Sequence, residues 1–204
     1  MSVIVGVVDK GVVYLGADSQ ITQGGCKNNQ YHPNNRKIWH PDEEVSVVMG
    51  SAGLVRGINI TKNINGLIDA KTLRSQLVDF SYVSQHVVKN IMDQMETHKL
   101  LESKDFIPKM QNEYLIGYRD KLYKISVDGA VSEISEYEAI GSGQIEARSS
   151  LYTLNQDGPI HRIVKAIESA IGNDIYVSYP IVIINTKNKD VVVIQDEKEK
   201  NSLS

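Results

Sequence analysis

Two apolar runs open the chain, Val3 to Val8 and Val12 to Ala17, and neither alternates with polar residues. A strand with one wet face reads apolar, polar, apolar; a run without that alternation is covered on both sides. Asp9-Lys10-Gly11 lies between them and supplies a tight turn. The pair reads as a hairpin buried on both faces, so the fold must bring a layer against each face of the hairpin.

The patterns that follow supply those layers. After a polar stretch from Gln23 to Asn35, short strands are expected at Arg36–His40 and Glu44–Gly50, separated by a Pro41-Asp42 turn. From Ser51 the period changes. Leu54, Ile58, Ile60 and Ile64 suggest a helix weakened by Gly57 and Gly66. Leu73, Leu77, Phe80, Val87, Val88, Ile91, Met92 and Met95 recur at three- and four-residue steps and predict a stronger one. Strands are expected again at Tyr114–Tyr118, Lys121–Val127, Val131–Ile134 and Tyr137–Ile140. Two helices follow, one from Gln144 to Leu154 and one carrying Ile160, Ile163, Val164, Ile167 and Ile171. A last hairpin pairs Ile181–Asn185 with Val191–Gln195. The order is strands, two helices, strands, two helices, strands. An α+β arrangement of two stacked antiparallel sheets, each covered outside by a helix pair, buries every apolar stripe. Periodicity alone leaves other layered α+β folds open.

With 204 residues, 41% of them hydrophobic, the chain has material for one sizeable core, and residues 1–204 read as one domain with a charged, frayed tail from Glu197. The net charge of −3 comes without a basic run, which argues against nucleic acid as a partner. The longest apolar stretches are too short to span a membrane, and the start lacks the layout of a secretory signal. Cys26 is the only cysteine, so no internal disulfide forms and a cytoplasmic location is expected. The five histidines are dispersed, no metal-ligand spacing occurs, and no phosphate loop or nucleophile elbow is present. No cofactor or metal is expected.

Five local patterns occur in order along the chain: Ser2 to Val7, Gly16-Ala-Asp-Ser-Gln-Ile-Thr22, Asn35-Arg-Lys-Ile38, Val48-Met-Gly-Ser-Ala-Gly53 and Ala139-Ile-Gly-Ser-Gly143. In these the chain resembles the β-type subunits of proteasomes, above all the bacterial two-ring protease that works with an AAA+ unfoldase. The resemblance implies the four-layer αββα sandwich of N-terminal-nucleophile hydrolases. It also implies a peptidase whose first mature residue attacks the scissile carbonyl with its side-chain oxygen, its own α-amine serving as base. An α-amine suits that work because its ordinary pKa of roughly 7.7–8.0 lies near neutrality.

Carried over residue by residue, Ser2 takes the nucleophile position, where the family has threonine. Only Met1 precedes it, and serine is small enough for methionine aminopeptidase to expose it. Lys37 matches the lysine that favours the deprotonated oxygen, and Asp18 the acid that pairs with it; the plain alternative for each is a strand-end surface charge. Gly50 matches the glycine whose N–H stabilises the oxyanion, or else is a simple turn. Ser142 and Asp174 match the supporting serine and aspartate near the amine, with helix capping or a turn as alternatives. Ser178 stands one residue out of step with the family's second serine. Thr22 and Val48 fall where the family borders its substrate channel, implying a small apolar pocket. The implied partners are an unfolded polypeptide substrate, further copies of the chain in a ring, and an AAA+ unfoldase. Two other functions stay open: a catalytically silent structural subunit that keeps Met1, and a non-peptidase amidase on the same fold.

Overall fold

The computed structural model describes residues 2–28, 32–41, 46–68, 73, 78–104 and 106–196. The opening hairpin is β1 (Val3–Asp9) and β2 (Val12–Ala17), joined through Lys10 and Gly11, both at positive φ (48° and 78°). That is the backbone a two-residue turn needs to match the strands' twist. A small hairpin, β3 (Ile21–Gln23) and β4 (Cys26–Asn28), follows. Then come a 3₁₀ turn at Pro33–Asn35, β5 (Ile38–Trp39) and β6 (Val47–Gly53). Helix α1 spans Val55–Lys62. Helix α2 begins at Phe80–Tyr82, passes through a π-helical turn at Val83–Val87 and continues as Val88–Thr97. Strands β7 (Leu101–Lys104), β8 (Ile107–Met110), β9 (Asn112–Tyr118), β10 (Lys121–Ile125), β11 (Val131–Ile134) and β12 (Tyr137–Gly141) follow. The chain then forms α3 (Gln144–Thr153), α4 (Pro159–Asn173), β13 (Ile181–Asn185) and β14 (Val192–Ile194).

The strands make two five-stranded antiparallel sheets, ordered β12-β1-β2-β13-β14 and β11-β10-β9-β6-β5. Three apolar layers hold them. Val3, Val5 and Val7 on one face of β1 pack against Ile163, Ala166 and Ile167 of α4 and Ala147 and Leu151 of α3. Ile4 on the other face joins Leu15, Val48, Leu115, Leu122 and Ile184 between the sheets. Met49, Tyr114, Ile116 and Tyr123 on the far face of the second sheet pack against Val83, Val87, Ile91 and Met95 of α2. Every inner strand is therefore apolar on both faces. This is why β1 and β2 show no alternation: the period of two is present, but both sets of side chains are buried.

Three expectations need correction. The second helix does not run unbroken through Phe80: Val78 and Asp79 are not helical, and the extended Asp79 (φ −99°, ψ −177°) caps the N-terminus by accepting the Tyr82 N–H at 2.8 Å. Phe80 then falls in the first turn and is exposed rather than in the apolar stripe. Leu77 lies outside the described residues. Strand β6 continues to Gly53, past the expected change of period at Ser51, because Ser51, Ala52 and Gly53 pair with Tyr114, Glu113 and Asn112 of β9. Two hairpins, β3–β4 and β7–β8, fall where no strand is expected. Asp42–Glu44 and the tail from Glu197 lie outside the described residues.

Candidate active site

The site forms where β1 begins. Ser2 is 3% exposed, and its position is set by the turn after β12. Gly141 sits opposite Val3 in the ladder at φ +94°, and a Cβ there would lie 2.2 Å from the Ser2 carbonyl oxygen. Only glycine permits that approach. The next residue closes the contact: the Ser2 backbone nitrogen donates to Ser142 Oγ at 3.1 Å, and Ser142 Oγ donates to the Ser2 carbonyl at 3.3 Å. Ser142 is thus turned to the chain start and does not cap α3, whose N-cap position is Gly143 without a side-chain bond.

Asp18 follows β2 directly and is buried. One of its oxygens, Oδ1, accepts the Val3 N–H at 3.0 Å and the Lys37 ammonium at 2.7 Å. The other, Oδ2, accepts the Gln20 N–H at 3.0 Å and the Ser178 N–H at 3.5 Å. Four donors on one carboxylate hold it immobile. The side chains of Lys37 and Asp18 are only 4% and 0% exposed, so the pair is dry. Burial lowers the Lys37 pKa below the usual lysine value; Asp18, and at longer range Asp174, oppose the shift. Lys37 itself stands just before the two-residue β5, where its carbonyl accepts the Ser51 N–H at 3.0 Å.

Ser2, Gln20, Thr22, Lys37 and Gly53 line one cavity of about 140 Å³, closed by Leu54 and by one face of α1 bearing Val55, Ile58, Asn59 and Lys62. Thr22 Oγ1 accepts from Gln20 Nε2, which also donates to the Ile175 carbonyl. Among the described residues no three His, Cys, Asp or Glu side chains cluster as metal ligands would, and no helix is long and apolar enough to cross a membrane.

The structure thus brings Ser2, Asp18, Lys37, Ser142 and Thr22 together. Asp174 stands back: it ends α4, its Oδ1 accepts the Tyr176 N–H at 2.9 Å, and it reaches Lys37 through space. Two expected residues are elsewhere. Val48 is wholly buried between the sheets, since alternation along β6 turns it inward, and the cavity is mixed polar and apolar rather than small and apolar. Gly50 faces Ile4 and Ile38 on the inner side of the sheet. Because the Ser51 N–H points to β5, the Gly50 N–H points the opposite way, to its partner Leu115 in β9. Two residues after Ser51, the Gly53 N–H returns to the β5 edge, beyond the end of that strand. Sequence reasoning also missed Gln20 as a cavity wall, Lys62, and the bond from the Ser178 N–H to Asp18.

The family model "Proteasome subunit" matches residues 2–184. The chain belongs to the proteasome subunit family. Thiobacillus denitrificans BPH is similar in fold, with a TM-score of 0.69 at 16% identity, over 96% of this chain and 100% of that one. The same protein in complex with epoxomicin gives a TM-score of 0.68 at 15% identity, over 95% and 99% of the two chains. Anbu, the ancestral β-subunit from Yersinia bercovieri, gives 0.72 at 12% identity, over 98% and 90%. No curated protein matches the chain. At such identities the likeness is one of fold, and the family's αββα sandwich is what the two five-stranded sheets and the helices packed on them build.

Proposed function

We propose that this proteasome-family subunit is a peptidase whose nucleophile is Ser2, exposed by removal of Met1. The observation that carries the reading is the shared carboxylate: Asp18 Oδ1 binds the Lys37 ammonium and the amide of the residue after Ser2 at once. Lysine and nucleophile are thereby referenced to one rigid atom. With Met1 gone, the Ser2 nitrogen becomes an α-amine held by Ser142 Oγ. That amine takes the proton of the Ser2 hydroxyl as its oxygen attacks the substrate carbonyl, and later returns it to the leaving amine. The buried positive charge of Lys37 favours the oxyanionic form of the serine. In this reading the Gly53 N–H, on the β5 edge of β6, takes the oxyanion role that the motif implies for Gly50. Asp174 adds negative charge at longer range. The enzyme acts as a cytoplasmic ring of copies on unfolded polypeptide delivered by an AAA+ unfoldase.

The second reading is a non-catalytic structural subunit. What favours it is the direction of the Gly50 N–H, which lies in the β6–β9 ladder. Intact mass decides whether Met1 is removed. A fluorogenic peptide assay with wild type, Ser2→Ala and Lys37→Ala decides catalysis: both variants are expected to lose at least about 1,000-fold in turnover while keeping the fold. Epoxomicin, found bound to the Thiobacillus protein, is the probe for adduct mapping, with Ser2 as the expected site. Retained Met1, or full activity in Ser2→Ala, ends the peptidase reading.

A further inference from the structure

We propose that Lys62 is the specificity determinant of the cavity and receives an acidic side chain of the peptide substrate. The proposal rests on the peptidase reading and adds to it a substrate class. Lys62 closes the last turn of α1, seven residues after Val55 and four after Ile58, on the helix face that lines the same cavity as Ser2 and Lys37. Among the described residues no aspartate or glutamate lines that cavity. The charge of Lys37 is met by Asp18. Lys62 has no such match: its ammonium donates to the carbonyls of Asn34 and Arg36 and lies 5.3 Å from the Trp39 ring centre, and no carboxylate among the described residues pairs with it. An ammonium carries three N–H donors, and these carbonyls take two.

The surroundings also select an anion. Burial, followed by repulsion from Arg36, pulls the Lys62 pKa down to about 8. A carboxylate entering the cavity would relieve both costs, whereas a second cation would add to them. Gln20, another polar wall of the cavity, is held through its Nε2 by Thr22 Oγ1 and the Ile175 carbonyl. The peptide that carries the carboxylate is the substrate of the peptidase reading.

The test separates binding from turnover. Fluorescent peptides identical except for Glu, Gln or Lys at the residue preceding the cleavage position, all with amidated C-termini, are titrated by anisotropy against the full Ser2→Ala chain. The Glu peptide is expected to bind at least about tenfold more tightly than the Gln peptide. Lys62→Met should bring the two within about twofold; Lys62→Arg should keep the preference, and Lys62→Glu should transfer it to the Lys peptide. Equal binding of Glu and Gln peptides, or a Glu preference that survives Lys62→Met, overturns the assignment. So does a preference that follows a free C-terminal carboxylate instead of the side chain. Turnover by the Ser2 protein is read separately. Glu-selective binding with no turnover ends the peptidase reading and leaves the anion site standing; turnover without Glu selectivity does the reverse.

Discussion

At the scale of single residues, Asp18 organises the site. Its carboxylate accepts from Lys37, Val3, Gln20 and Ser178. Asp18→Asn keeps the size but removes the charge, leaving a buried ammonium unpaired. The expected loss is about 3–5 kcal/mol in urea denaturation, and Lys37→Met made in the Asp18→Asn background should recover part of it. Gly141→Ala tests the other support. A side chain at φ +94°, with its Cβ 2.2 Å from the Ser2 carbonyl, must push the chain start away. We expect a loss of about 2 kcal/mol or more in stability, together with loss of the activity proposed above. Ser2, Asp18, Lys37 and Ser142 were legible because short motifs in the right order carry them. Val48 and Gly50 were misplaced for one reason: a motif gives the order of residues, but the face on which each lies follows from strand register, and a single step reverses it. Gln20 and Lys62 left no signal, since their roles depend on which elements meet at the cavity.

At the scale of elements, periodicity gave the inner strands and the helices correctly where both faces or a full stripe are buried. It failed where tertiary pairing acts on short polar segments. Leu101–Lys104 and Ile107–Met110 pair as strands although Ile107 is exposed and Pro108 lies in the second; nothing in so short a stretch distinguishes it from a loop. The start of α2 shows the opposite fault. The three- and four-residue spacing of Leu73, Leu77 and Phe80 suggested continuity, whereas Asp79 interrupts it as a cap. Asp79→Ala removes the acceptor of the Tyr82 N–H and should cost about 1 kcal/mol, read as a lower melting temperature with the proposed site chemistry unchanged. Asp79→Asn, which keeps an acceptor, should lose only a fraction of that.

At the scale of the whole molecule, the two sheets and their helices are joined by apolar layers that hold a few buried polar groups, and one of these, Tyr114, makes stability depend on pH. Tyr114 lies wholly buried in the layer between the second sheet and α1, and its pKa is pushed up to about 12 by burial, with hydrogen bonds to Thr61 and Ser51 opposing the shift. Thr61 Oγ1 already donates its proton to the Gly57 carbonyl, so the Tyr114 hydroxyl must be the donor in the 3.0 Å bond between them. Ionising the phenol would remove that donor and bury a charge. In the unfolded chain the same phenol ionises near 10. Between roughly pH 10 and 12 the unfolded state therefore holds fewer protons than the folded one, and stability falls as pH rises. Below pH 10 the contribution is fully present. The loss attributable to Tyr114 should be of the order of 2–3 kcal/mol by pH 12. Tyr114→Phe cannot ionise and should lose about 1 kcal/mol at neutral pH with the hydrogen bond, yet its urea midpoint should fall less steeply than wild type between pH 10 and 12. Parallel slopes for the two proteins would show that alkaline unfolding begins elsewhere and that the Tyr114–Thr61 bond does not tie α1 to the sheet beneath it.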